Sequence, residues 1–196
     1  MKAYHADNGI FTSHQFKQHL EGQAQDLSLS GVGAHHQNGV AERAIKTVVA
    51  SARTMMLHAA LRWPEEKDES LWPLALRYAA YIHNITPKPN CGGHSPLELF
   101  SSVITEHPMR SPALHHTHVW GCPAYVLDPT LQDGKKLPKW QPRSRKGMFM
   151  GVSPDHASTI GDILNLQTKS ITPQFHVVYD DDFTTVSATT DIPPNW

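Results

Sequence analysis

Two carboxylates and a run of cations are the residues of this chain best suited to chemistry. Asp7 stands in "HADNG" and Glu42 in "AHHQNGVAERAIKTVVASAR", thirty-five positions later. Carboxylates gathered from separate segments suit divalent-metal chemistry on phosphates, because hard cations take oxygen donors and stabilise charge on a phosphoryl oxygen. Asp7 follows a short alternating run, Met1 to Ala6, and precedes the turn dipeptide Asn8-Gly9. That pattern puts a carboxylate at a strand end.

Glu42 needs a helix to hold it. Asn38 is a suitable N-cap, Gly39 tolerates the turn into the helix, and apolar residues recur at Ala41, Ile45, Val48, Ala52, Met55 and Ala59, the helical period. A helix from about residue 38 to 61 follows. At about 100° per residue, Glu42, Lys46 and Arg53 fall within roughly 40° of one another, at the border of the apolar arc. Lys46 and Arg53 then extend the acid's face as phosphate-positioning cations, with Asn38 at the mouth of the helix as a further candidate DNA contact. The plain alternative is a solvated face carrying an ordinary Glu42–Lys46 helix pair.

A second cationic cluster lies far downstream. "KKLPKWQPRSRK" carries Lys135, Lys136, Lys139, Arg143, Arg145 and Lys146, one aromatic, Trp140, and no acid. It reads either as a DNA-contacting loop, with cations on phosphates and Trp140 on a sugar or base face, or as a Pro-broken solvated loop with Trp140 folded onto the core. The net charge of −1 gives no global push toward nucleic acid, so DNA affinity has to come from such local clusters.

Other chemistries are less well supported. Fourteen histidines are many for 196 residues, but the pairs His35-His36 and His115-His116 lack zinc-finger spacing to Cys91 and Cys122. His35 and His36 instead shape the loop leading to the Glu42 helix. The two cysteines read as reduced thiols in an intracellular compartment. Asp180 to Asp182 in "YDDDF" read as a solvated charge run. No apolar run reaches membrane-spanning length and no signal-peptide pattern is present, so no membrane partner is expected. A hydrophobic fraction of 39% is ordinary for a globular chain.

The elements that position these residues follow in order. A strand covers Lys2 to Ala6, a helix precedes Leu20, and another strand lies near Asp26 to Leu29. A Gly-rich loop, Ser30 to Gly33, leads to the acid-bearing helix and reads as mobile or as a mere turn. A second helix spans about Leu71 to His83, and "SPLELF" is one helical turn with Ser95 as cap and Pro96 at the first position. From about Val119 the pattern becomes strand-like, in "WGCPAYVLD", "GMFMGVS", "GDILNLQT" and "FHVVYDDDF", which suits a small β-barrel or curled sheet. The tail after Thr185 is polar and reads as frayed.

"ADNGIFTSHQF" with "HHQNGVAERAIKTVVASARTMM" resembles the second half of a retroviral-type integrase core, that of copia-type (Pseudoviridae) LTR retrotransposons. "LWPLALRYAAYIHNITP", "HSPLELF", "WGCPAYVLDP", "RSRKGMFMGVS" and "QFHVVYDDDF" extend the likeness over nearly the whole chain. The resemblance implies an α/β fold: a truncated ribonuclease-H-like core with following helices over 1–100, a linker over 101–118, an SH3-like β module over 119–185 and a tail over 186–196. It implies a DDE-type polynucleotidyl transferase, in which Asp7 and Glu42 are the second and third catalytic acids and hold two Mg²⁺ or Mn²⁺ ions with a first Asp.

That first Asp lies on an earlier strand in the family, and this chain starts six residues before Asp7. The chain therefore reads as a fragment, a decayed copy or a misannotated start, with open strand edges. The complete enzyme is expected to act on element cDNA ends and target DNA, as a homo-oligomer, in the nucleus of a eukaryotic host. A catalytically dead remnant that only binds DNA or protein is the competing expectation.

Overall fold

A computed structural model describes residues 3–6, 9–31, 38–66, 68–106, 110 and 114–186. Asp7, Asn8, Gly33, His35, His36 and the tail from residue 187 lie outside the described residues.

The chain opens with a β-α-β unit: β1 (Ala3–Ala6), α1 (His14–Gly22) and β2 (Asp26–Leu29). The strands pair in parallel, Ala3 opposite Asp26 and Ala6 opposite Leu29. Parallel neighbours need a crossover connection, and α1 supplies it. Ser13 caps α1 by accepting from the Phe16 N–H at 3.3 Å, satisfying one orphan donor. Leu20 is buried, and the Phe16 ring meets Tyr4 and Phe11 edge-on. Ser30 extends the pairing by donating its N–H to the Ala6 carbonyl at 2.8 Å.

The expected acid-bearing helix is α2, Gly39–Arg62. Asn38 is its N-cap residue, but the Asn38 side chain makes no capping hydrogen bond. Its φ of −98° and ψ of 8° differ from the extended backbone that aims a cap side chain at the first turn. Helix α3 runs Trp72–Ile85, slightly later and longer than expected. "SPLELF" opens a nine-residue helix, α4 (Pro96–Ile104), rather than a single turn. A reciprocal box starts it: Ser95 Oγ accepts from the Glu98 N–H at 3.1 Å, and the Glu98 carboxylate accepts from the Ser95 N–H at 2.9 Å.

The rest of the chain builds an antiparallel sheet from β3 (Pro123–Leu127), β4 (Ser144–Val152), β5 (Gly161–Asn165), β6 (Ile171–Gln174) and β7 (Val177–Tyr179), with the short α5 (Pro129–Gln132) after β3. The spatial order is β6-β5-β4-β3-β7. The expected barrel is not closed: β6 and β7 are opposite edges, and among the described residues neither pairs with the other. Register shifts between Phe149 and Val152 on β4, and such an irregularity bends a strand and raises its twist.

One core joins the helices to this sheet. Ala52, Ala59 and Trp63 of α2 and its end, Ala75, Tyr78 and Ala79 of α3, and Trp120, Cys122, Ala124, Val126, Met148, Phe149 and Ile163 are buried together. Alanines on both helices let backbones approach closely. Gly121, at φ 82°, shows how closely, since a Cβ there would stand 2.6 Å from Ala59 Cβ. Trp63 Nε1 donates to the Gly121 carbonyl at 2.8 Å and Trp120 Nε1 to the Met150 carbonyl at 3.2 Å, so both indoles satisfy their polar atom inside the core. Arg77 of α3 meets Asp162 of β5 at 2.6 Å. Among the described residues no helix is long and apolar enough to cross a membrane.

Candidate nucleic-acid interface

Glu42 occupies the first turn of α2 and is exposed, as are Lys46 and Arg53. A carboxylate there interacts favourably with the helix dipole. Among the described residues no ion pair joins Glu42 to Lys46; the solvated face of the plain alternative is present, its helix pair is not. Arg53 borders an open hollow of about 350 Å³ with Val49, Met56, Glu69, Trp72 and Leu76.

The apolar stripe of α2 is covered along only part of its length. Ala52, Ala59 and Ala60 are buried, whereas Val40 is 87% and Ile45 62% exposed. The acid-bearing end of the helix thus stands clear of the core. Asp7, its expected partner, lies outside the described residues. Among the described residues no group of three His, Cys, Asp or Glu is arranged to hold a metal ion. Glu42 offers oxygen donors of the type Mg²⁺ and Mn²⁺ take, but the described residues do not assemble a complete ligand set.

The downstream basic segment divides into a loop and a strand. Trp140 is 89% exposed and does not fold onto the core. Lys139 Nζ lies 5.2 Å from its ring centroid, within cation–π range. Lys135 pairs with Asp133 at 3.7 Å, both largely exposed, a contact worth little in water. Lys136 and Arg143 are exposed. The Arg143 carbonyl accepts from the Asp128 N–H at 2.9 Å, which ties the loop's end to the end of β3.

Arg145 and Lys146 belong to β4 and are half-buried. Arg145 Nη1 is buried and has no hydrogen-bond partner among the described residues. Lys146 Nζ donates to the Thr185 carbonyl at 3.0 Å and sits 5.0 Å from the Trp63 ring. Trp63 ends α2, so Lys146 and Glu42 mark opposite ends of that helix, roughly 30 Å apart at 1.5 Å rise per residue. Lys146 and the acid are therefore two locations rather than one pocket.

Sequence reading missed a polar cluster beside the sheet. Asp181 Oδ1 accepts from the Val119 N–H at 2.6 Å, and Asp181 Oδ2 lies 2.9 Å from His118 Nδ1. His118 stacks on Tyr179 at 3.7 Å between centroids, and Tyr78 Oη donates to the His118 carbonyl at 2.6 Å. Burial, with the nearby Asp181 carboxylate, pushes the Cys122 thiol up, which makes it an inert core group rather than a nucleophile. Burial likewise pushes Tyr179 up to about 12.

Asp180 accepts from the hydroxyls and N–H groups of Thr184 and Thr185, and the Thr185 hydroxyl leads in holding its carboxyl down to about 2. Asp180 and Asp181 thus fasten turns and are not the merely solvated charge run expected. The Thr184-Thr185 pair following the acids was the available signal, since hydroxyls and amides a turn away attract a carboxylate.

No protein-family model matches the chain. Over 143 residues, 70% of its length, it is 27% identical to the retrovirus-related Pol polyprotein from transposon TNT 1-94 of Nicotiana tabacum. Over 146 residues, 74% of its length, it is 29% identical to the corresponding polyprotein from transposon RE1 of Arabidopsis thaliana. The chain is similar to plant retrotransposon Pol polyproteins. It spans 10% and 8% of the length of these two relatives.

Proposed function

We propose that this chain is the part of a retrotransposon Pol polyprotein that carries the end of the integrase core, ribonuclease-H-like in type, and the SH3-like module after it. The observation that carries the reading is the similarity to two retrotransposon Pol polyproteins over most of the chain. The exposed Glu42 at the start of a long helix, with Lys46 one turn on, supports it chemically. In the complete protein Asp7, Glu42 and a further Asp hold two Mg²⁺ or Mn²⁺ ions, which supply Lewis-acid stabilisation of phosphoryl transfer when bound.

This chain's own cations position the DNA. Lys46 and Arg53 take backbone phosphates beside the acid, and the segment from Lys135 to Lys146 takes phosphates at the sheet. In this reading water cleaves a phosphodiester near a DNA end, and the 3′-hydroxyl released attacks a target phosphate and expels its 3′ leaving oxygen. The complete protein acts as a homo-oligomer in the nucleus.

The competing reading, a module that binds DNA or protein and performs no chemistry, is supported by the exposed loop around Trp140, whose contacts need no metal. One comparison separates the two. With the chain joined to its upstream Pol sequence, Glu42→Gln should abolish strand transfer while DNA binding and folding persist. Transfer at the parental rate would remove Glu42 from the mechanism.

A further inference from the structure

A tryptophan left 89% exposed forgoes the burial that normally stabilises so large an apolar ring. Trp140 does so inside a segment with six cations and no acid between positions 135 and 146, and Lys139 already leans over its ring. Three residues on, Arg143 borders a hollow of about 500 Å³ with Tyr125, Leu127, Phe175, His176 and Val178. Phe175 is 64% and Val178 71% exposed, so the rim is aromatic and apolar as well as cationic. The acids nearby are engaged: Asp133 meets Lys135, and the Asp128 carboxylate accepts from the Thr130 N–H at 2.8 Å. The hollow lies beside β7, an edge strand of the sheet.

Flat aromatic faces flanked by exposed cations match one ligand chemistry closely: a planar base attached to a phosphate chain. Within a duplex each base face is covered by its neighbours. Only an unpaired base offers a face to Trp140 and an edge to the hollow.

Resting on the reading that this segment contacts nucleic acid, we propose that Trp140, Arg143 and the Tyr125–Phe175 hollow form a site for unpaired bases of a single-stranded nucleic acid. Trp140 stacks on a base, Lys136, Lys139 and Arg143 hold flanking phosphates, and the hollow receives a neighbouring base. Single-strand sites of this type span on the order of 4–16 nucleotides.

The test is fluorescence anisotropy on the full chain with labelled oligothymidylate of about 12 nucleotides, oligouridylate of equal length, and a blunt DNA hairpin of matched charge whose loop is a base-free ethylene-glycol linker. The chain should bind a single strand about tenfold more tightly than the hairpin. Trp140→Ala should remove about that factor, one stacking contact's worth, for single strands alone, and Trp140→Phe should restore most of it. Arg143→Ala should weaken all ligands and lower the salt slope. Tighter oligouridylate binding assigns the site to RNA, and tighter oligothymidylate binding to DNA. Equal affinity for single strand and hairpin, with Trp140→Ala without effect, overturns the stacking site and leaves the nucleic-acid reading intact. Binding to none of the three overturns both.

Discussion

The two ends of α2 carry the same periodic pattern and have different fates. From Ala52 to Trp63 the apolar side packs on α3 and on the loop before β3, and Trp63 is buried with its indole N–H satisfied. At Val40 and Ile45 the apolar residues face solvent, 87% and 62% exposed, and Val48 is the first of the stripe to pack on the core. Periodicity therefore reports that a helix has an apolar face, not that this chain covers it. The candidate chemistry follows the same division, with Glu42 and Lys46 on the uncovered end and Lys146 against the covered one.

The largest expected contrast comes from truncating one apolar residue at each end. Trp63→Ala should cost about 3–5 kcal/mol by transfer loss and cavity formation, whereas Ile45→Ala should change stability by less than about 0.5 kcal/mol, as exposed positions do. Urea melts of both variants check this. Comparable losses would mean the outer end of α2 is also packed in solution.

A smaller effect should come from Gly121→Ala. The added methyl would stand 2.6 Å from Ala59 Cβ at a backbone φ of 82°, and overpacking with left-handed strain costs about 1–3 kcal/mol. If the loss at Gly121 vanishes in an Ala59→Gly background, close approach to α2 is its main cause; if it remains, backbone strain is. An unchanged melting temperature for Gly121→Ala alone would remove the close approach from the account of the covered end.

The smallest effect concerns the turn whose Thr185 carbonyl receives Lys146. Asp180 is held from its usual 3.8 down to about 2, first by the Thr185 hydroxyl. A folded-state value below the unfolded one contributes stability above the unfolded pKa, and that contribution is lost as pH falls toward the folded value. The melting-temperature gap between parent and Asp180→Asn should therefore be present at neutral pH and narrow between 3.8 and about 2. A gap that stays constant through that window would show that the carboxylate charge is not what fastens the turn.

Local signals were well expressed in the chain. The span of α2 agrees with the expected helix to within a residue at each end, and β2 coincides with the expected Asp26 to Leu29 strand. Strand β6 was not expected, because Pro173 breaks the strand pattern of "ITPQ". It is tolerated because β6 is an edge strand, where a missing donor need not interrupt the ladder on both sides. Helix α4 outruns its expected single turn because a complete capping box starts it, a reciprocal geometry that residue types only permit.

Of the candidate site, the exposure of Trp140 was one of two open readings, and only packing chose between them. His118 and Asp181 stand out in the sequence only as one of many histidines and as part of an acidic run; that they meet each other and Tyr179 was not legible, because the contacts join distant positions in the chain.

Taken alone, the sequence determined what local chemistry dictates: where the long helices run, where strands begin after Val119, and which positions concentrate acid and cation. Those follow from the periods of helix and strand and from side-chain chemistry, which act over a few residues. The tertiary structure alone decided which half of α2 is covered, that the sheet stays open with β6 and β7 as its edges, and that Arg145 and Lys146 lie in a strand while Trp140 stands in solvent. Those outcomes depend on shape fit between segments far apart in the chain, a property that no local pattern encodes.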